Sequence, residues 1–222
     1  MLARFSLVYE RFCRIAVMVF VVNVAMFAHT LLGAFVVGFF PSVAAAHTVY
    51  RDWLLAEDRA WKTRQVWRRF HSAWRTELKP ANLFGWFQAA VGLLLLFDYR
   101  VMNWHATGVF DYALAGVLLL AIVVFVLFFD MSWVLRAHYA ERGSWVVRAS
   151  LAAVIARPLC SVMLAMTAFL TLWVWYNWPG VMMVFGLALP FFCTTMLVCS
   201  FARLPGVPRP QEAARSRAVS GR

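Results

Sequence analysis

The chain has 222 residues, of which 64% are hydrophobic, 17% aromatic and only 14% charged, and 21 Lys and Arg against 10 Asp and Glu leave a formal net charge of +11. Soluble domains hold roughly 45–50% apolar and about 25% charged residues, so the composition excludes a compact water-soluble fold and a disordered chain. It also excludes a nucleic-acid binder, which needs its basic charge on a large water-facing surface. Cys13, Cys160, Cys193 and Cys199 form no CxxC pair and lie in or beside apolar runs, so no disulfide framework or thiolate metal centre is expected. The fold class is an all-α polytopic membrane protein.

A helix crosses the hydrocarbon core with about 20 apolar residues. Residues 15–49 are too many for one crossing, since a straight helix of that length measures about 52 Å. The polar or small interruptions Asn23, His29, Thr30 and Gly33 put a reversal near residues 29–33, giving spans 13–29 and 32–50. Pro41 is expected to kink the second. A polar stretch follows, with an amphipathic helix at 59–79 that Lys79-Pro80 ends, and Asn82 is placed to cap the next span. Further spans are expected at 82–102, 109–131, 158–176 and 180–202. Residues 142–157 are read as lying along the interface, with Pro158 opening the fifth span. The bundle is therefore about six spans (five possible) in one transmembrane domain, 1–203. Residues 204–222 are rich in Pro, Arg and Ser and read as a disordered tail. No small-x-small cleavage site precedes a polar sequence, so a removed signal peptide is not expected.

With six spans, 20 of the 21 basic residues fall on one side and only Arg100 on the other. By the positive-inside rule this puts both termini, the 51–79 segment and the 136–157 segment in the cytoplasm. Nineteen of the basic residues are Arg, and juxtamembrane arginines attract anionic lipid head groups.

On the 59–79 helix, Trp67, Phe70, Trp74 and Leu78 fall within about 80° of one another, and Arg64, Arg68, Arg69 and Arg75 take the rest of the arc. Two roles fit this pattern. The helix lies in the headgroup region or covers the mouth of its own bundle, or it docks another subunit.

The run N23-x5-H29-T30-L31-L32-G33-x4-G38-F39-F40-P41-S42-x-A44-A45 and the later block F70-H71-S72-A73-W74-R75-T76-E77-L78-K79-P80-A81-N82 resemble the YesL family of bacterial membrane proteins. That family has an Asn in its first span, two spaced glycines, a Pro followed by small residues, and a second block closed by Glu and Asn. The resemblance covers residues 20–100. His71 departs from it by standing where a large aromatic is the pattern. The family is a domain of unknown function, often encoded beside carbohydrate uptake and polysaccharide-degradation genes. What the resemblance implies is a non-catalytic role accessory to carbohydrate ABC importers, with importer subunits as partners.

Gly33, Gly38 and the small residues after Pro41 read as close helix contacts, or Pro41 breaks the helix and bares carbonyls to a substrate. Asn23 is read as bonding across helices or lining a site. The histidines divide, with His29 and His105 outward and His47, His71 and His138 inward, so no haem or metal pair is expected. No nucleophile–base pair, intramembrane carboxylate pair or GxGxxG occurs, so neither an enzyme nor a cofactor is expected. The competing reading is a small self-sufficient transporter or substrate-binding membrane component, with a polar cavity beside Asn23 and Pro41.

Overall fold

A computed structural model describes residues 2–56, 58–105, 107–139 and 141–201, with side chains from Tyr9 onward. The expected tail at 204–222 lies outside the described residues. Eight helices follow in order: α1 (Leu2–Leu32), α2 (Phe39–Leu55), α3 (Thr63–His105), α4 (Val109–His138), α5 (Gly143–Ala156), α6 (Pro158–Asn177), α7 (Pro179–Phe185) and α8 (Ala188–Phe201). No strand occurs among the described residues. Four helices, α1, α3, α4 and α6, are long and apolar enough to cross a membrane, and α7 with α8 makes a fifth candidate bent by 68°. The protein is thus an all-α polytopic membrane protein.

The first reversal falls at residues 33–38, later than the expected 29–33, and His29 and Thr30 remain inside α1. Two glycines set it. A Cβ on Gly33 would stand 2.4 Å from the Gly38 Cα, an approach that no other residue permits. Between them Ala34 and Phe35 adopt left-handed backbone, with φ of 49° and 61°. Because the turn consumes these residues, α2 has only 17 and is not a spanning candidate, which removes one of the expected six spans. Pro41 introduces no kink. It is the third residue of α2, inside the first turn, where a helix has no intrahelical acceptor for its N–H groups.

The amphipathic segment is not a separate helix. α3 runs unbroken for 43 residues with Pro80 inside it, so Lys79-Pro80 ends nothing and Asn82 caps no helix start. The proline deprives the Thr76 carbonyl of its helical donor, but Thr76 is exposed and water can reach it. Packing on both sides of Pro80 holds the rod: Phe70, Ala73, Trp74 and Ala81 are buried in one cluster with α2. The last apolar run does break. Gly186 and Leu187 separate α7 from α8, and Pro190 in the first turn of α8 cannot donate back to Gly186.

α2 is the centre of the larger core. Its Val43, Ala45, Ala46, Val49 and Tyr50 are fully buried against Val19, Val22 and Ala25 of α1, Val66 and Phe70 of α3, and Trp133 of α4. A second cluster joins α4, α5, α6 and α8 through Met131, Val134, Val146, Leu164 and Val198. Outside both, the second half of α3 and the first half of α4 expose Leu93, Leu94, Phe97, Val117 and Leu120. Bare apolar sides of this extent are lipid-facing.

Candidate functional site

The first half of α3 carries three kinds of residue in three stripes. Val66, Phe70, Ala73 and Trp74 turn inward, Arg64, Arg68 and Arg75 turn outward, and Arg69, Ser72, Thr76 and Glu77 line the margin facing α2 and the end of α4. The margin is where charge is organised. Asp52 of α2 accepts from Arg51 through Nε at 3.0 Å and Nη2 at 2.7 Å, and its other oxygen pairs with Arg69. Arg51 also donates through Nη1 to the carbonyl of Ala137, near the end of α4. Arg136 pairs with Glu77 and lies over the Phe84 ring, 5.4 Å from its centroid. Its Nε is buried with no partner.

Arg51, Arg69, Glu77, Arg136 and Ala137 wall a crevice of about 290 Å³ with Thr48, Ser72, Thr76 and Tyr139. Burial pushes the Tyr139 phenol above its ordinary range, so it stays a hydroxyl. Ser72 and Thr76 are shared with an open concavity of about 580 Å³ that Trp67, Arg68, His71 and Arg75 complete. The two form one polar groove over the surface of α3. Its lining holds five guanidiniums and the carboxylate of Glu77, with Asp52 paired to Arg51 and Arg69, an excess of positive charge on a surface built from three helices.

Behind this groove lies a contact that the sequence had separated. His29 of α1 and His71 of α3, expected on opposite sides of the membrane, meet at 2.9 Å. The error was one of register: hydropathy places residues along their own helix, whereas α3 continues past α1 and brings residues 67–74 level with His29. The His29 Nδ1 donates to the Ala25 carbonyl at 2.8 Å, so in the neutral ring Nε2 accepts from the Nδ1–H of His71. Trp67, Phe70 and Trp74 surround the His29 ring at centroid distances of 5.4, 5.1 and 5.2 Å. His71→Phe leaves a buried ring nitrogen unpaired, so a loss of about 1–3 kcal/mol is expected in a thermal unfolding measurement of the purified protein. An unchanged midpoint counts against the bond. Among the described residues, no three or more His, Cys, Asp or Glu side chains gather as a metal site.

The remaining candidate residues divide between turn and core. Asn82 donates to Val37 at 2.8 Å, Trp86 to Val36 at 3.0 Å and Trp74 to Gly38 at 3.3 Å, so three α3 side chains clamp the 33–38 turn. Asn23 donates to the Met183 and Val184 carbonyls of α7 at 3.1 and 2.9 Å, and its oxygen is buried without a partner. Pro41 is fully enclosed in α2. The proposed docking face is split: Phe70 and Trp74 are 0% and 7% exposed inside their own bundle, Trp67 is 37% exposed, and Arg64, Arg68 and Arg75 remain free of the core. Aromatics at a helical repeat identify a buried face without saying who buries it. The Arg51–Asp52–Arg69 and Arg136–Glu77 pairs were not anticipated, although five charged residues in membrane-adjacent segments were a signal that they needed partners.

A family described as "Protein of unknown function, DUF624" matches residues 19–99, nearly the stretch on which the YesL resemblance rests. The chain is also 25% identical over 185 residues to "Uncharacterized protein YesV" of Bacillus subtilis (strain 168), covering 81% of this chain and 86% of that protein. No solved structure matches it.

Proposed function

We infer that this chain, YesL-like and of the DUF624 family through residues 19–99, is a non-catalytic accessory subunit of carbohydrate uptake that works beside an ABC-type importer in the bacterial inner membrane. The observation that carries this reading is the closed interior. Val22, Ala25, Val43, Ala45, Ala46 and Val49 are each 0% exposed, and neither the crevice nor the open concavity over α3 is lined by Asn23 or Pro41. A solute carrier needs a mid-depth cavity between its helices. What this protein offers instead is surface: Trp67, Arg64, Arg68 and Arg75 on one side of α3, suited to an acidic cytoplasmic face of a partner and to anionic head groups at about 1 kcal/mol per arginine near the surface. In this reading the basic half of α3 is cytoplasmic.

One feature favours the competing reading of a self-sufficient transporter. The α7–α8 span is discontinuous, and Asn23 holds carbonyls of its shorter half, as broken helices in carriers are held. Purification settles between the two. A tagged protein in mild detergent is expected to bring down importer subunits, and an Arg64→Glu/Arg68→Glu/Arg75→Glu variant to lose them. Solute uptake by the protein alone in liposomes, with no subunit recovered, overturns the accessory role.

A further inference from the structure

We propose that the polar groove over α3 is a binding site for a phosphate ester, either a phosphorylated solute or the head group of an anionic phospholipid. The proposal centres on the margin facing α2 and α4, shares only the rim residues Trp67, Arg68 and Arg75 with the outward docking stripe, and is tested on the chain without any importer.

The first argument is preorganisation. Arg51 is fixed by three hydrogen bonds, two to Asp52 and one to the Ala137 carbonyl, and Arg136 is fixed by Glu77 and the Phe84 ring. The side chains of Arg51, Arg69 and Arg136 are 28%, 44% and 16% exposed, so each guanidinium sits at the crevice wall rather than free in water. A ligand would meet guanidiniums whose ordering is already complete.

The second argument is surplus. A guanidinium carries five N–H donors, and Asp52 and Glu77 occupy only part of those that three arginines bring. The Nε of Arg136 is buried with no acceptor, an unmade bond in the lining of the site. The crevice lining sets Arg51, Arg69 and Arg136 against Glu77, with Asp52 paired to the first two, and Arg68 and Arg75 stand on the adjoining rim. The missing element is therefore an anion.

The third argument selects the anion. The donors come from three helices that are not coplanar: Arg51 from α2, Arg69 and Ser72 from α3, Arg136 from α4. A carboxylate presents its oxygens in one plane, whereas a phosphate ester arranges its oxygens around a tetrahedral centre and accepts bidentate bonds from arginine. The esterified group would extend into the open concavity beside His71 and the partly exposed Trp67, which leaves about 580 Å³ for it.

The test uses the full chain in a neutral detergent, with the thermal midpoint and Trp fluorescence as readouts. Glycerol 3-phosphate is expected to raise the midpoint where glycerol does not, and Arg69→Gln to weaken its binding at least tenfold while Lys62→Gln, outside the groove, leaves it unchanged. Since loss of Arg136 threatens folding by stranding Glu77, Ser72→Asp supplies a second variant that repels the anion without removing a structural bond. A second arm replaces the soluble ester with nanodiscs of phosphatidylcholine or phosphatidylglycerol. Stabilisation by phosphatidylglycerol alone, abolished by Ser72→Asp, assigns the site to a lipid head group. Stabilisation by glycerol 3-phosphate in detergent assigns it to a soluble ester. Absence of both effects overturns the proposal, and so does an equal loss in Lys62→Gln and Arg69→Gln, which would mean diffuse charge attraction.

Discussion

Gly38→Ala is expected to lower the thermal midpoint of the detergent-solubilised protein by about 6–12 °C, from a cost of about 3 kcal/mol in a chain of this size. The added methyl would stand 2.6 Å from the carbonyl oxygens of His29 and Thr30 and 2.8 Å from the Thr30 Cα. All three neighbours are backbone, so no side chain can rotate away. Relief requires parting α1 from the start of α2, which would also pull Gly38 from the Trp74 indole of α3. Two other glycines calibrate the result. At Gly85 the methyl meets the Phe40 ring at 2.2 Å, a side chain with some freedom to shift, so a smaller loss is expected. At Gly116 nothing lies within 4 Å, and alanine is expected to be neutral or to gain up to about 1 kcal/mol from helix propensity. Equal effects at Gly38 and Gly116 would show that the hairpin is not held by this approach.

Phe70→Ala is expected to cost about 3–5 kcal/mol, the range for emptying a buried aromatic site, and so to lower the midpoint by about 6–20 °C. Phe70 is 0% exposed and lies in the cluster of α1, α2 and α3, with its ring 5.1 Å from that of His29. Trp67, one turn earlier and 37% exposed, is expected to cost far less when cut to alanine. The pair separates two uses of the same amphipathic pattern. Were the aromatic stripe reserved for another protein, Phe70→Ala would leave the isolated chain as stable as before and weaken only the complex.

That pattern also shows how far a sequence of this kind can be read. Composition was enough for the class, since no soluble core can hide so many apolar residues, and the two short blocks around Gly33–Pro41 and Phe70–Asn82 lie in the stretch, 19–99, that the family model matches. The start of α6 was readable because a proline suits a first helical position and Arg157 before it is pushed out of helix. The continuity of α3 was not, because Lys79-Pro80 carries a stop signal that packing on both sides overrides. The α7–α8 break had its signals in Gly186 and Pro190, but an apolar run of spanning length concealed them. The site was least legible. Asp52 and Arg69 are 17 residues apart and Glu77 and Arg136 are 59 apart, so their pairing depends on how helices slide past one another. Hydropathy is blind to that offset, which is also why His29 and His71 were assigned to opposite faces.

A continuous helix of 43 residues has a mechanical consequence. Its length is about 65 Å against a hydrocarbon layer of about 30 Å, so at a tilt of about 20° close to half of it stands outside the lipid. The lipid-facing half and the arginine-bearing half belong to the same rod, with one lost hydrogen bond at Pro80 as its interruption and no joint between them. When a thinner or thicker bilayer tilts the apolar half, the other half is carried with it. The arginine-bearing surface therefore takes its orientation from the span to which it is joined.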